Sequence, residues 1–285
     1  YEPDVTSYDY DAPINEQGRP TPKYFALRNL IAKYVSDLPQ IPEPIPAMEI
    51  PEIRMEKLTS VWSILPKPIH SVQPKPFEAY QQDYGFILYR ASLVGRKSGR
   101  LTITDLHDYA TLFLDGRYIG KLDRREGEQD LDIPKSYSET PVLEILVEGM
   151  GRINFAQSMI DRKGITDRVT LEGMTLMNWE VYNLPFDAAT LARLKPSAID
   201  SKRRGIFFRG TFELTGIADT YFDMSNYRKG LVWVNGHNLG RYWDIGPQKR
   251  LFCPAPWLRK EHNEILIFDL HQTEGKIVQA VKTLG

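Results

Sequence analysis

The sequence predicts a mainly β protein built from two tandem β-sandwiches, on three observations. First, Leu231-Val232-Trp233-Val234-Asn235-Gly236-His237-Asn238-Leu239-Gly240-Arg241-Tyr242-Trp243 reads as a buried strand, a tight Asn-Gly turn and a second strand. Second, the pattern stands 120 positions earlier (Asp115 against Asn235) as Leu112-Phe113-Leu114-Asp115-Gly116-Arg117-Tyr118-Ile119-Gly120-Lys121. Both turns supply the positive-φ residues that a two-residue hairpin needs. Third, the echo extends at the same offset. It pairs Gly85-Phe86-Ile87-Leu88 with Gly205-Ile206-Phe207-Phe208, Leu131-Asp132-Ile133-Pro134 with Leu251-Phe252-Cys253-Pro254, and Glu144-Ile145-Leu146-Val147 with Glu264-Ile265-Leu266-Ile267. A unit of this length is too long for a solenoid repeat and large enough for a sandwich with its own core.

Composition agrees with two folded domains: 285 residues, 42% hydrophobic and 11% aromatic, give material for two cores. No apolar run approaches the roughly 20 residues of a membrane span. Tyr1-Glu2-Pro3-Asp4 lacks the charge and apolar core of a signal peptide, so the chain start need not be the protein start. A net charge of -1 argues against a nucleic-acid binder, and Lys202-Arg203-Arg204, between the copies, reads as a solvated linker. The single cysteine, Cys253, excludes an intrachain disulfide and reads as a small apolar strand residue. There is no Asn-x-Ser/Thr sequon, which fits a bacterial protein.

Taken in order, residues 1–38 open with Thr6-Ser7-Tyr8-Asp9-Tyr10-Asp11-Ala12-Pro13, pass a turn-rich loop, and reach a helix from Thr21 to Tyr34. Thr21 suits the N-cap, Pro22 suits the first helical position, and Tyr24, Leu27, Ile31 and Tyr34 share one face. One strand, loop and helix cannot enclose a core, so this unit reads as the tail of a β/α domain. Residues 39–76 are proline-laden, which favours extended geometry, and their interleaved Ile41, Ile45, Ile50 and Ile53 predict a packed linker that can add a strand. Residues 77–186 form the first sandwich, with Met159 to Trp179 as an added hairpin, and 187–285 form the second.

The opening Thr6-to-Pro13 motif, its loop and its Pro-Lys helix start resemble the end of the catalytic (β/α)8 barrel in β-galactosidases of glycoside hydrolase family 35. Tyr84-Gly85-Phe86-Ile87-Leu88-Tyr89-Arg90, Gly151-Arg152-Ile153-Asn154-Phe155, Asp161-Arg162-Lys163-Gly164-Ile165 and Val234 to Gln248 are similar to that family's non-catalytic β domains, in the same order. The resemblance implies two jelly-roll, galactose-binding-like sandwiches preceded by the last strand, loop and helix of the barrel. It implies a periplasmic or secreted bacterial enzyme, working without metal or organic cofactor on a galactoside.

Retaining glycoside hydrolysis needs two carboxyl groups about 5 to 5.5 Å apart. The resemblance implies two glutamates, in Asn-Glu-Tyr and Glu-Phe-Trp type motifs, and neither motif is present. Both are therefore expected upstream of Tyr1, on a catalytic barrel that acts as the partner of these residues. The resemblance further implies that Tyr8 lines the galactose pocket and that Phe155 stands near its mouth, where the family often has tyrosine. The bland readings are a junction tyrosine and a core phenylalanine. Asp9 and Asp11 project on one side of an extended segment and are conceivable as an acid/base pair, although aspartate before Ala-Pro commonly caps a turn.

Of the aromatic residues that would suit a sugar platform (Trp62, Trp179, Trp233, Tyr242, Trp243 and Trp257) most read as core, Trp233 within an apolar strand and Trp179 before a Val-Tyr strand pattern, whereas Trp243 and Trp257 flank loops and are candidates for exposure. The five histidines (His70, His107, His237, His262, His271) show no ligand spacing, so a metal site is not expected. The sequence thus points to part of a retaining exo-β-galactosidase acting on oligosaccharides or glycoconjugates. The rival is a non-catalytic carbohydrate-binding or scaffolding pair of sandwiches, and oligomeric state is left open.

Overall fold

The computed structural model describes residues 11–95, 98–200 and 202–284, which form two compact units. One comprises Thr59–Gly205 and the other joins the described parts of Val5–Leu58 and Ile206–Gly285.

The predicted helix is α1 (Pro22–Ile31), entered from Thr21 in extended geometry with Pro22 in its first turn. The Thr21 hydroxyl donates to the Ala12 carbonyl at 2.7 Å and caps no helix N–H. α1 buries none of its residues; Phe25, Leu27, Leu30 and Ile31 are all exposed. The strand expected before it falls largely on residues 1–10, outside the described residues.

The proline-rich segment supplies β1 (Ile50–Ile53), β2 (Glu56–Ser60) and β3 (Ile69–Ser71). Each lies at the edge of its sheet, where strands tolerate a neighbouring proline that donates no ladder bond.

The first sandwich contains β4 (Gly85–Ser92), β5 (Gly99–His107), β6 (Tyr109–Leu114), β7 (Arg117–Asp123), β8 (Asp130–Ile133), β9 (Val142–Gly149), β10 (Gly164–Leu171), β11 (Met174–Thr175) and β12 (Trp179–Leu184). They pair as one sheet in the order β3-β12-β4-β9-β6-β7 and a second in the order β11-β10-β5-β8. The faces meet in one core: Leu101, Ile103, Val169 and Leu171 from the smaller sheet pack with Tyr89, Leu112, Ile145 and Val181 from the larger. The predicted extra hairpin is β10–β11, turning at Glu172 and Gly173, both with positive φ.

A short helix, α2 (Ala188–Leu191), is capped by Asp187, whose carboxylate accepts from Thr190 N at 2.8 Å. Beyond it run β13 (Ile206–Phe212), β14 (Thr220–Asp223), β15 (Lys229–Val234), β16 (His237–Trp243), β17 (Arg250–Cys253), β18 (Asn263–Asp269) and β19 (Val278–Val281). The second sandwich pairs β16-β15-β18-β13-β2 and β1-β19-β14-β17. Phe212 of the first sheet meets Phe222 of the second at 5.9 Å between ring centroids.

The duplication is visible in topology. The order β4-β9-β6-β7 recurs as β13-β18-β15-β16, and β10-β5-β8 recurs as β19-β14-β17. Both hairpin turns have positive φ at both central residues, Asp115 (50°) with Gly116 (76°) and Asn235 (50°) with Gly236 (85°). Both hairpins also carry their ladder irregularity in the same place, between Leu112 and Phe113 and between Val232 and Trp233. The sequence offset is not kept everywhere. Ala110 pairs with Val147 but Gly230 with Asp269, so β18 is displaced by two residues against β9 relative to the sequence match. Ile87 pairs with Val147 and Ile206 with Asp269, so β13 is displaced by one residue in the opposite sense.

This register aligns three buried positions whose residues change together. In the first copy, Ala110 lies between Leu122 and Val147 on neighbouring strands, all in the core. In the second, Gly230 lies between Tyr242 and Asp269. The Tyr242 hydroxyl donates to Asp269 Oδ2 at 2.8 Å, and a Cβ at Gly230 would lie 2.9 Å from that hydroxyl and 1.7 Å from the Phe268 carbonyl oxygen. Glycine at this position is the condition for the tyrosine–aspartate pair.

Candidate functional site

At one end of the first sandwich several strand ends converge on residues 149–163. Asp108 links β5 to β6, Arg124 follows β7, and Asp161 and Lys163 precede β10. Lys163 has no exposed side-chain surface, and its Nζ donates to Asp108 Oδ2 (2.7 Å), Asp161 Oδ2 (2.7 Å) and the Gly151 carbonyl (2.9 Å). Arg124 Nη1 donates to the other oxygen of each carboxylate, at 2.7 Å to Asp108 and 2.9 Å to Asp161. Two anions and two cations balance, which is the condition under which ions are tolerated away from water.

The cluster holds the backbone of the segment that follows β9. Met150 N donates to Asp108 Oδ2 at 2.8 Å, and Ile153 N to Asp161 Oδ2 at 3.2 Å. Arg152 adds an ion pair to Glu78. His107 Nδ1 lies 2.6 Å from the Arg162 carbonyl and 3.3 Å from Asp161 Oδ1, and its Nε2 lies 3.0 Å from Asp105. Beyond this base the segment runs outward: Phe155 is 81% exposed, with Met159 and Ile160 also exposed. A fixed base under an exposed apolar tip is built for contact rather than for core packing.

Burial by itself would raise the Asp161 carboxyl, but its hydrogen bonds and charge interaction with Lys163 and Arg124 hold it below the ordinary aspartate value. The same contacts outweigh burial for Arg124 and raise it. Below the ordinary aspartate value of about 3.9 the unfolded chain binds a proton that the folded chain does not, so stability rises with pH there. Asp161 thus contributes stability that is present above about pH 4 and lost as pH falls through its folded value. Thermal unfolding followed from neutral to acid pH should show this limb, and Asp161→Asn should flatten it.

The predicted site residues separate. Tyr8 and Asp9 lie outside the described residues. Asp11 is exposed and its carboxylate pairs with Lys23 at 2.9 Å, a turn anchor rather than an acid/base group. Phe155 stands in solvent and not in the core. Trp243 is buried, with the Lys229 ammonium 3.8 Å from its ring centre, so it offers no sugar platform. Trp257 is half-buried and stacked on His237 at 4.7 Å with the rings 7° apart. Among the described residues no three of His, Cys, Asp and Glu converge as metal ligands, and Cys253 is buried, its thiol pushed up to about 12 by desolvation.

The basic stretch expected to be a solvated linker is otherwise. Lys202 is exposed, but the Arg203 guanidinium lies 3.6 Å from the Trp62 ring centre and pairs with buried Glu144, and Arg204 lies 3.6 Å from the centre of the Tyr118 ring. Cation–π and ion-pair contacts draw these side chains in. The Lys163 cluster was missed from sequence because its members are scattered; only Asp161 and Lys163, two apart on an extended stretch, hint at a shared side.

The model of glycosyl hydrolases family 35 matches residues 1–34, that of the first all-β domain of β-galactosidase matches 74–185, and that of the β-galactosidase galactose-binding domain matches 205–263. A β-galactosidase of Xanthomonas manihotis is 38% identical over 88% of this chain and 42% of its own length. One of Bos taurus is 35% identical over 95% of this chain and 46% of its own, and the human β-galactosidase-1-like protein 3 is 37% identical over 93% and 42%. The chain therefore spans under half the length of these relatives. No helix among the described residues is long and apolar enough to cross a membrane. Matched in chain order by a family-35 model and two β-galactosidase domain models, and alike to β-galactosidases along nearly its whole length, the chain belongs to glycosyl hydrolase family 35.

Proposed function

We propose that this chain is part of a retaining exo-β-galactosidase that removes terminal β-linked galactose from oligosaccharides or glycoconjugates. On this reading residues 1–38 are the end of the catalytic barrel, 39–76 a packed linker, and 77–186 and 187–285 accessory sandwiches. The observation that carries it is the Phe155 segment, an exposed apolar tip on a buried ionic base. Phe155 offers a ring face to sugar C–H groups on the leaving-group side of the substrate. Tyr8 is assigned, from its motif, to hydrogen bonding in the galactose subsite.

The carboxylate clusters described above are unsuited to the two catalytic roles. Asp108 and Asp161 are consumed by Lys163 and Arg124, and Glu144 by Arg90 and Arg203. The Asp269 carboxyl is raised by burial, as a general acid's would be, but it is fully buried and engaged. We therefore place the acid/base and nucleophile on barrel residues outside this chain, forming a glycosyl-enzyme intermediate that water resolves.

The test is release of galactose from a chromogenic β-galactoside. The longer protein carrying this chain should hydrolyse it, and the 285-residue chain at equal concentration should not. Hydrolysis by the chain alone would sink the assignment of the carboxylates. In the longer protein, Phe155→Ala should raise KM for a β-linked disaccharide about 5- to 10-fold while leaving kcat on a nitrophenyl galactoside within about 2-fold. An unchanged disaccharide KM would remove Phe155 from the substrate path.

A further inference from the structure

The duplicated scaffold offers one position twice and uses it differently. In each copy the strand after the hairpin ends at a proline, Pro134 or Pro254, and the third residue beyond it is aromatic, Tyr137 or Trp257. In the second copy the position is filled from within: His237, two residues past the turn residue Asn235, lies parallel over Trp257, and Asn235 Nδ2 donates to the Trp257 carbonyl at 2.8 Å. The geometry therefore brings a flat ring in front of this aromatic.

In the first copy the same place is open. Asp115, at the equivalent turn position, accepts from Ser136 Oγ at 2.6 Å, and Ser136 Oγ in turn accepts from Ser138 N at 3.0 Å, so the loop bearing Tyr137 is tied to the hairpin. Tyr137 is nonetheless 90% exposed. Beside it lies a depression of about 510 Å³ lined by Asp115, Arg117, Ile119, Lys135, Tyr137 and Ser138 among others, and the Asp115 carboxylate there is engaged by Ser136 Oγ at 2.6 Å and Val142 N at 2.9 Å. Arg117, which stands where the second copy has His237, has no ion-pair partner among the described residues, and Lys135 Nζ lies 5.9 Å from the Tyr137 ring centre. The depression falls within the range of small-molecule sites. An aromatic face beside two cations and a serine hydroxyl suits a pyranose ring bearing a negative charge: the ring's C–H face covers the tyrosine, and the anion meets the guanidinium and ammonium.

We propose that Tyr137, Arg117 and Lys135 form a saccharide-binding subsite on the first sandwich for an anionic pyranoside, one carrying a carboxylate or a sulfate. The site performs no chemistry and holds an acidic sugar against the sandwich surface.

Calorimetric titration of the 285-residue chain tests this with three probes: methyl galacturonoside, methyl galactoside 6-sulfate and neutral methyl β-galactoside. At least one charged probe should bind, and the neutral one at least about tenfold more weakly, a difference suited to loss of a charge-assisted contact. Which charged probe binds distinguishes carboxylate from sulfate. Tyr137→Ala should weaken the charged probe about tenfold, and Arg117→Gln or Lys135→Gln about three- to fivefold, with Lys135→Arg retaining binding. These side chains are exposed, so the thermal midpoints of the variants should match the parent's. Failure of both charged probes to bind, equal binding of the neutral probe, or undiminished binding by Tyr137→Ala at an unchanged thermal midpoint would each overturn the proposal.

Discussion

Replacing Lys163 with methionine lowers the unfolding free energy of the first sandwich by about 3–5 kcal/mol, the usual cost of removing one partner from a buried ion pair. The side chain is fully buried, so water cannot take over its role, and Asp108 and Asp161 are left to share one arginine. Guanidinium unfolding measures the loss. The double variant Lys163→Met/Asp161→Asn should lose less than the sum of its parts, because removing one charge relieves the other. The effect should also be local: hydrogen exchange at Met150 and Ile153, whose amides are held by the two aspartates, should accelerate before the strands open. A loss under about 1 kcal/mol would mean that the cluster is hydrated and does not brace the Phe155 segment.

Asp269→Val, which installs the first copy's residue, should destabilise the second sandwich by about 4 kcal/mol, since each buried donor left unpaired costs about 1–3. Four donors depend on this carboxylate: Arg228 N at 2.8 Å, His271 N and Gln272 N at 2.7 Å, and the Tyr242 hydroxyl at 2.8 Å. Adding Tyr242→Leu removes one of them and should recover about 1 kcal/mol or more, a coupling that a double-mutant cycle reads directly. Burial outweighs these bonds and raises the carboxyl above its ordinary value. Its pH dependence therefore opposes that of Asp161. Between the unfolded and folded values the native state binds the extra proton, so this contribution is complete below about pH 3.9 and is lost as pH rises through the folded value.

Much of the fold was legible because its signals are local. Asp115-Gly116 and Asn235-Gly236 dictate their hairpins from two adjacent residues, and Thr21-Pro22 starts α1 in the same way. The register of the repeat was less legible, for a physical reason. A displacement of two residues leaves every side chain on the same face, so Glu144-Ile145-Leu146-Val147 matches Glu264-Ile265-Leu266-Ile267 although the ladders align Val142 with Glu264. The displacement of one between β4 and β13 was hidden because Phe86-Ile87-Leu88 and Ile206-Phe207-Phe208 are apolar at every position and show no alternation. The ion cluster was hidden by distance: Asp108, Arg124 and Lys163 come from three parts of the chain, and nothing near any of them announces the others. Phe155 was reached through the family resemblance, its exposure only through the structure.

The uncovered face of α1 has a bearing on the chain as a reagent. Phe25, Leu27, Leu30, Ile31, Tyr34 and Val35 present a row of apolar side chains on ten residues of helix and the turn after it, with none buried. In dilute buffer such a row recruits dye, detergent or another copy of itself. Preparations of these residues alone will have a working concentration set by that row, and a mild detergent or a leucine-to-glutamate change at Leu30 will extend it without touching either sandwich.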